Sequence, residues 1–452
     1  MAGASDKARF YLERSVPELH EYERKGIFSK EEITSIAKKR SDFEHVLNAR
    51  ASHPSDYARY ATYEMNLEAL RKKRINRLGI KAGGHAGQRR IFFILDRAVR
   101  KFPGDIGLWM QYIEFARAEK AIKKLNEILT SVLRMHPTKP ELWTYAARYA
   151  FESQADMTNA RSYMQRGLRF CRSSRALWLE YAKLEMSYVA KIAGRQHILG
   201  LDIDRAKKQD AAGDKSDADM ITLPEVTTED INPSLGKDDA VDETALQNLA
   251  STPALTGAIP MAIFDAAMKE FKDDPALGEQ FFDVFAEFDQ VPCTKKILQH
   301  VVDHMLQHSP NAIPTLACYF RLPIVGVDPA SAAFPSALGQ CLERIRSALK
   351  QSPQVKAPLA ERAIVWLLPL LRLDELDPAV HKVMSSSLRQ FSKALAPGSS
   401  ANTAAEGGKL AGIVGKLEQD KRHEDAQLLL SYGSKQRNST DRLLHVQASI
   451  SG

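Results

Sequence analysis

A tryptophan recurs at a nearly constant interval through the first half of the chain. Trp109, Trp143 and Trp178 are 34 and 35 residues apart, and each begins a stretch with helical spacing: WMQYIEFA, WTYAARYA and WLEYAKLE. A single unit of this length cannot bury the apolar face of its helices alone, so a fixed period indicates helical pairs that stack on one another. The fold class predicted from this pattern is all-α.

Other residues keep the same period. Pro103 and Pro137 lie six residues before the first two tryptophans, where proline ends one helix and begins the connection to the next. Near the start of the chain, YARYATYE at residues 57–64 repeats the tryptophan helix, and beyond residue 250 a phenylalanine follows Pro275 by six residues. The predicted repeat core consists of Tyr57, Tyr60, Trp109, Tyr112, Trp143, Trp178, Tyr181 and Phe281. We expect a tryptophan-to-alanine change there to cost about 3–5 kcal/mol of stability.

Composition excludes several classes of protein. The longest apolar run, residues 363–371, has nine residues and contains Pro369, whereas a membrane span needs about 20. The first residues, MAGASDKARFYLERS, lack the apolar core of a secretory signal. The four cysteines, Cys171, Cys293, Cys318 and Cys341, show no C-x-x-C spacing. We therefore predict a protein without a membrane span, in a reducing compartment, whose cysteines are buried thiols.

Charge is distributed unevenly along the chain. The net charge is +7, yet residues 202–243 contain 13 acidic and 5 basic residues, so the remainder carries +15. A basic folded body predicts an acidic partner, of which nucleic acid is the commonest and histones or acidic tails are alternatives. The acidic stretch has no helical periodicity and is predicted to be a disordered insertion between two helices of the array.

The predicted organisation follows from these boundaries. It comprises an amino-terminal helical hairpin at 1–50, repeats at 51–200 with a basic insert at 71–90, an acidic disordered linker at 201–250, further repeats at 251–395, a flexible loop at 396–408 and carboxy-terminal helices at 409–452. In the hairpin, Gly26 can end one helix in the left-handed conformation. Ser29 and Glu32 predict a capping box for the next, with Phe28 and Ile33 as its hydrophobic staple. The hairpin is either a cap of the array or a docking region.

The basic insert is the most prominent candidate surface. The sequence RKKRINRLGIKAGGHAGQRR contains no acidic residue. Its cations are Arg71, Lys72, Lys73, Arg74, Arg77, Lys81, Arg89 and Arg90. If four or five of them contacted phosphates, log affinity for RNA would fall with log salt at a slope of about −4. The alternatives are a solvated helix end, a nuclear import signal and a docking site for an acidic protein segment. The insert has no aromatic residue for base stacking, so sequence-specific recognition is not expected.

Signals for catalysis are weak. His300, His304 and His308 line one helical stripe and could hold a metal, but the metalloprotease pattern needs Glu where Val301 stands. A solvated stripe is the preferred interpretation. The sequence GIVGKL at 412–417 lacks the first glycine and the final Ser or Thr of a phosphate-binding loop. We therefore predict no catalytic residue, no cofactor and no metal.

Two resemblances narrow the function. The period of 34 and the W-x-x-Y-x-x-x-E helix resemble the half-a-TPR (HAT) repeat, a motif of RNA-processing assemblies. Residues 8–47, beginning ARFYLERSVPELHEYERKGIFS, closely resemble the opening of the U3 small nucleolar RNA-associated protein 6 family, a subunit of the small-subunit processome. This resemblance continues through LRKKRINRL at 70–78, GLRFC at 167–171 and ALTGAIPMAIFDAAMKEF at 254–271.

The resemblance implies a fold and a function. The fold is a HAT/TPR-like superhelical solenoid of antiparallel helix pairs. The function is that of a non-catalytic scaffold in ribosome biogenesis, located in the nucleolus and acting in 18S pre-rRNA processing. The implied partners are the tandem beta-propeller subunits of the UtpB subcomplex, the 5′ external transcribed spacer and U3 RNA, with no small-molecule substrate and no membrane. The alternatives are a HAT-repeat factor of splicing or 3′-end processing, and a module that binds RNA directly.

Overall fold

The structure is a computed structural model that describes residues 4–13, 15–49, 51–80, 84–198, 253–351, 355–373, 376–395, 412–419 and 422–436. Within these ranges every regular element is helical and no strand occurs, which confirms the predicted all-α class. The acidic linker predicted at 201–250, the loop at 396–408 and the segment 437–452 lie outside the described residues. The chain divides into two compact units, Met1–Tyr149 and Ala150–Gly452.

The first unit is a succession of helices. They are α1 (Ala4–Glu13), α2 (Val16–Arg24), α3 (Lys30–Asn48), α4 (Pro54–Leu78), α5 (Ala86–Lys101), α6 (Ile106–Ala118), α7 (Ile122–Met135) and the first turns of α8 (Pro140–Ser153). From α3 to α7 each helix contacts the next, and α4 also contacts α6. Short connections with contacts between both adjacent and alternate helices are typical of a two-layer stack of helical pairs.

The start of α3 has the predicted local structure. Gly26 adopts a left-handed conformation with φ of 64° after α2. Ser29 accepts a hydrogen bond from the backbone N–H of Glu32, while the carboxylate of Glu32 accepts one from the N–H of Ser29. Phe28 and Ile33 belong to one apolar cluster. This capping box fixes where α3 begins because it satisfies amide groups that the first helical turn leaves open.

The second unit continues the same architecture. Its helices are α9 (Met157–Phe170), α10 (Arg175–Ile198), α11 (Ala258–Glu270), α12 (Pro275–Ala286), α13 (Thr294–His308), α14 (Ile313–Arg321), α15 (Phe334–Gln351), α16 (Lys356–Leu371), α17 (Pro378–Ala394), α18 (412–419) and α19 (His423–Gln436). In one layer α10 contacts α12, α12 contacts α14 and α14 contacts α16; in the other α11 contacts α13 and α15 contacts α17. These contacts confirm the predicted helical-repeat solenoid.

Aspartate begins several of these helices. The side chains of Asp105, Asp156, Asp274 and Asp377 each accept a hydrogen bond from a backbone N–H of the first turn of α6, α9, α12 and α17. An aspartate at this position satisfies an open amide and places negative charge at the positive end of the helix. Helix starts are therefore encoded locally, and packing of the apolar faces fixes how the helices stack.

The predicted repeat core is largely buried. Tyr57, Tyr60, Trp109, Tyr112, Trp143, Tyr181 and Phe281 are all buried, whereas Trp178 is only half-buried. The indole N–H of each tryptophan donates to the carbonyl six residues earlier: Trp109 to Pro103 at 2.9 Å, Trp143 to Pro137 at 2.9 Å, and Trp178 to Arg172 at 3.0 Å. The indole thus donates a hydrogen bond to a carbonyl oxygen of the connection before its helix, which the ring of phenylalanine could not do.

Two further expectations concern the whole chain. Cys171, Cys293, Cys318 and Cys341 are buried thiols, and burial raises the pKa of Cys341 to about 12. Among the described helices none is long and apolar enough to cross a membrane. The apolar run at 363–371 lies instead in α16, in the middle of the main hydrophobic cluster of the second unit.

Candidate functional site

The cations at 71–77 lie on the last turns of a long helix. Helix α4 begins at Pro54, where the backbone N–H of His53 donates to the carboxylate of Asp56 at 2.8 Å. It ends at Gly79, which takes the left-handed conformation with φ of 64°. The basic segment is therefore ordered helix up to Leu78, and its side chains point in directions set by the helical rotation.

Two cations of this segment point inward and are neutralised. Arg71 is buried and its guanidinium donates to both oxygens of Glu68 at 2.6 and 2.7 Å. Arg74 donates to both oxygens of Glu32 at 2.7 Å and to the carbonyl of Ile27 at 3.0 Å. Bidentate Arg–carboxylate pairs of this kind are geometrically specific. Arg74 thus holds α4 against α3, whereas Arg71 pairs within α4 and lies over the ring of Tyr22 in α2. Neither arginine forms a free basic surface.

A buried ionic network joins the helices beneath them. Arg40 of α3 donates to both oxygens of Glu64 in α4, at 2.7 and 2.8 Å, and both side chains are almost completely buried. Arg40 also lies 3.7 Å from Glu18 of α2, which in turn accepts hydrogen bonds from Arg90 of α5 at 3.0 Å and from Tyr22. Four helices are thus connected through one set of charges.

Electrostatics keep this network ionised. Burial alone would raise the pKa of Glu18, but the guanidinium groups of Arg40 and Arg90 and the hydroxyl of Tyr22 together lower it. Burial likewise acts to lower the pKa of Arg40, and the carboxylates of Glu64 and Glu18 outweigh it and raise that pKa. A buried charge is tolerated only when partners of this kind are close.

The carboxylate of Glu68 also lies against the first turn of α5. A Cβ atom on Gly87 would lie 2.2 Å from Oε2 of Glu68, so only glycine allows the carboxylate to approach the first turn of the helix so closely. Negative charge at this end of a helix is favourable because the backbone N–H groups carry partial positive charge. The glycines of the basic insert therefore serve helix packing at this position.

The remaining cations of the insert are exposed. Lys72 pairs with Glu119, the residue after α6, at 2.8 Å, and Lys81 lies outside the described residues. Lys73, Arg77 and Arg89 are exposed, and their side chains form no ion pair or hydrogen bond with any residue that the structure describes. Of the eight predicted contact residues, these three have the free charge that a phosphate contact requires.

Aromatic side chains lie beside one of these cations. A cleft of about 520 Å³ in the first unit is lined by Tyr11 of α1, Phe93 of α5 and Arg89. The rings of Tyr11 and Phe93 are 5.3 Å apart, and Arg97 stacks over Tyr11 with its guanidinium carbon 4.2 Å from the ring centre. The insert itself contains no aromatic residue, but the fold supplies one from α1, about 80 residues earlier in the chain. Sequence inspection missed this pairing because the two residues are distant in sequence.

Comparisons with known proteins address the same region. The family described as U3 small nucleolar RNA-associated protein 6 matches residues 12–94. The protein of that name from Schizosaccharomyces pombe is 36% identical over 236 residues, which are 50% of this chain and 48% of the relative. The homolog from Homo sapiens is 31% identical over 185 residues, which are 40% of this chain and 31% of the relative. The homolog from Dictyostelium discoideum is 24% identical over 278 residues, which are 61% and 44% of the two chains.

Over residues 12–94 the chain is similar to the U3 small nucleolar RNA-associated protein 6 family. It spans about half the length of the first of these curated relatives and less of the human one. The match to the family at 12–94 extends from the end of α1 to the first half of α5. The matched segment therefore includes the ionic network, the capping box and the basic insert.

A second charge pair follows the repeat but was not predicted. Arg161 of α9 donates to both oxygens of Glu185 in α10, at 2.7 and 2.8 Å. The spacing of 24 residues equals that of Arg40 and Glu64, and each glutamate lies seven residues after the aromatic that begins its helix, Tyr57 or Trp178 in the two cases. The same position in the repeat therefore holds a bidentate ion pair in both units.

Proposed function

We propose that this chain is a non-catalytic scaffold in ribosome biogenesis, acting in the nucleolus as part of the small-subunit processome during 18S pre-rRNA processing. The observation that carries the proposal is the family match at 12–94, which falls on an ordered block of helices. The proposal assigns the chain no catalytic step, no cofactor and no small-molecule substrate. Its proposed partners are the tandem beta-propeller subunits of the UtpB subcomplex, the 5′ external transcribed spacer and U3 RNA.

The physical basis of the scaffold is the stacking of helical pairs. Each pair exposes one side of both helices, so an array presents a long surface along which several separate contacts can be made. Contacts of moderate strength on one ordered body add through high effective concentration. Exposed apolar residues at helix ends, such as Leu78 of α4, Met135 of α7 and Phe170 of α9, supply side chains for such contacts.

The scaffold proposal predicts association with partners and with particles. A tagged full-length chain should sediment with pre-ribosomal particles in a gradient and should retain propeller-containing proteins in a pull-down after RNase treatment. Retention that survives RNase would support protein docking. Absence of the chain from the particle fractions would refute the proposal.

A second candidate function is direct RNA binding by the isolated chain. It is favoured by the exposed and unpaired Lys73, Arg77 and Arg89 in the described part of the first unit, and by the aromatic cleft beside Arg89. If each of the three contacts one phosphate, the slope of log affinity against log salt is about −2 to −3. The four or five contacts inferred from the sequence would have given a steeper slope.

The test is a salt titration with a matched charge control. Binding of a 5′ spacer RNA is measured for the wild type, for a triple glutamine variant of Lys73, Arg77 and Arg89, and for a control in which three other exposed cations of the first unit are changed. The control residues are Arg117, Lys123 and Arg134. Loss of binding in the first triple variant alone would support a specific RNA surface. Equal loss in both would indicate a general effect of net charge, and no binding by the wild type would leave protein docking as the role of the chain.

A further inference from the structure

We propose that Asp273, His304 and His308 form a binding site for a divalent transition metal of the Zn²⁺ class. The two histidines lie one turn apart on α13, and the aspartate lies in the turn between α11 and α12. One ligand atom from each of the three lies within 4.8 Å of the others. Among the residues that the structure describes, this is the group of three His, Cys, Asp or Glu side chains whose ligand atoms lie within that distance of one another.

The spacing of the two histidines is that of many zinc ligands. Side chains at positions i and i+4 of a helix lie on one face, one above the other. The rings of His304 and His308 are stacked with their centres 4.3 Å apart. In the sequence, Val301 stands where the metalloprotease pattern has a glutamate, so the stripe has no carboxylate at that position. In the fold, Asp273 from the turn between α11 and α12 supplies one.

Hydrogen bonds orient His308 for coordination. Its Nδ1 lies 2.9 Å from the carbonyl oxygen of His304. A carbonyl can only accept, so Nδ1 is protonated, and in the neutral ring Nε2 presents its lone pair. That Nε2 lies 3.9 Å from Oδ2 of Asp273. Metal-binding histidines commonly donate the ring N–H that does not bind the metal to a backbone carbonyl, as Nδ1 of His308 does. The carboxylate of Asp273, which faces the other nitrogen, would be a second ligand of the same ion.

Asp273 and His304 complete the set. Nε2 of His304 lies 2.9 Å from Oδ1 of Asp273, a hydrogen bond whose proton a metal ion would replace. Asp273 reaches this position through a left-handed backbone with φ of 56°, immediately after Lys272 with φ of 54°. The neighbouring Asp274 pairs with Arg175 at 2.7 Å, so that arginine is directed to the next carboxylate along the chain.

The surroundings decide the class of metal. The buried ring of Phe264 meets the edge of the His304 ring, with centres 5.3 Å apart, and fixes the inner side of the site. The outer side is open, because His308 is 44% exposed. Two imidazole nitrogens and one carboxylate oxygen with an open fourth position suit Zn²⁺ or Co²⁺, whereas Mg²⁺ and Ca²⁺ prefer oxygen ligands. The ligand atoms need to approach to about 3.4 Å of one another around a tetrahedral ion, which small side-chain rotations allow.

His300, the third histidine of the stripe, provides a matched control for changes to the two proposed histidine ligands. His300 lies on the same helix and pairs with Asp265 at 2.7 Å, but neither belongs to the group of three. Changing His300 therefore removes the same kind of side chain, and the same kind of His–Asp pair, without removing a ligand. Any general effect of histidine loss on α13 should appear in both variants.

The test uses the purified full-length chain, stripped with chelator and titrated with Co²⁺ while the visible absorption of tetrahedral cobalt is followed. Zn²⁺ is then added to displace it. We expect the wild type and the His300→Ala variant to develop the same absorption. We expect His308→Ala and Asp273→Asn to lower the affinity by more than about tenfold, since losing a ligand costs at least as much as losing an outer partner. Asparagine tolerates the left-handed conformation, so Asp273→Asn preserves the turn.

Other outcomes would overturn the proposal. They are no cobalt absorption in the wild type, unchanged binding in both His308→Ala and Asp273→Asn, or an equal loss in His300→Ala. Helical circular dichroism and the thermal midpoint of each variant without metal distinguish loss of a ligand from loss of folding. The site lies in the second unit, away from the family match at 12–94, so its failure would leave the scaffold proposal intact.

Discussion

Replacing Arg40 with methionine tests whether the buried ionic network stabilises the first unit. Methionine keeps most of the volume of the side chain and removes only the guanidinium. The two hydrogen bonds to Glu64, at 2.7 and 2.8 Å, are lost, together with the charge 3.7 Å from Glu18. Glu64 then has a buried carboxylate without its partner, because its side chain is only 2% exposed.

The expected cost follows from that burial. Removing one partner of a fully buried pair costs about 3–5 kcal/mol, because the remaining charge must stay desolvated or take up a proton. Glu18 keeps Arg90 at 3.0 Å, so the larger share of the cost falls on Glu64. Changing both Arg40 and Glu64 to methionine should recover most of the loss, since no unpaired charge then remains between these positions.

The equivalent pair in the second unit is the matched comparison. Arg161 and Glu185 have the same spacing and the same bidentate geometry, but Arg161 is 29% exposed. Glu185 itself is only 1% exposed, but the space that the Arg161 side chain leaves is open to water, which can hydrate the remaining carboxylate. We expect Arg161→Met to cost about 1.5–3 kcal/mol, the range for a hydrogen bond to a charged group.

Hydrogen exchange measured by mass spectrometry at increasing urea is the assay, because it reports the opening free energy of each unit separately in the full-length chain. Peptides from α3 and α4 report the Arg40 variant, and peptides from α9 and α10 report the Arg161 variant. The reasoning is refuted if Arg40→Met destabilises its unit no more than Arg161→Met destabilises the other, or if the double methionine variant is no more stable than Arg40→Met.

Three smaller predictions concern single positions. Hydrogen bonds from Arg74 and a backbone N–H lower the pKa of Glu32 to about 2. Their stabilisation is complete above the ordinary value of 4.5 and is lost as pH falls towards 2, so Glu32→Gln should flatten the acid limb of the thermal midpoint; an unchanged acid limb would contradict this. Gly87→Ala should cost about 1–3 kcal/mol in urea unfolding because its Cβ would lie 2.2 Å from Glu68, and a neutral result would mean that the carboxylate moves freely. Gly194→Ala in α10 meets no atom within 4 Å and should instead stabilise the helix by about 0.5–1 kcal/mol, so a lower thermal midpoint would refute it.

Local signals in the sequence predicted the local features of the fold. The tryptophan period identified the stacked helical pairs because the burial of one large aromatic per pair leaves a visible spacing. The capping box at Ser29 and Glu32 was predictable because its two hydrogen bonds join residues three apart. The half-burial of Trp178 could not be predicted, because the exposure of one side chain depends on which helices pack over it.

The candidate site depended on contacts that sequence spacing does not display. The basic insert shows eight cations and no acid, and from composition alone all eight are equally available. Two of the carboxylates that neutralise them lie far away in sequence: Arg74 meets Glu32, 42 residues earlier, and Arg90 meets Glu18, 72 residues earlier. Only the repeated 24-residue spacing of the Arg–Glu pairs left a trace, which a search for recurring opposite charges at a fixed register would detect.

The carbonyl of Pro103 has a consequence for how the first unit unfolds. It accepts the indole N–H of Trp109 at 2.9 Å and is also 2.7 Å from Nε2 of His136, at the end of the following helical pair. That oxygen lies in the connection that precedes α6, and with its two lone pairs it holds both the start and the end of the α6–α7 pair. In a linear array, stability is the sum of each repeat and of the couplings between neighbours. An acceptor shared by both helices of one repeat makes it costly to unfold either helix alone. Residues 103–136 should therefore melt as one cooperative block, and a partly unzipped array that ends between α6 and α7 should be rare.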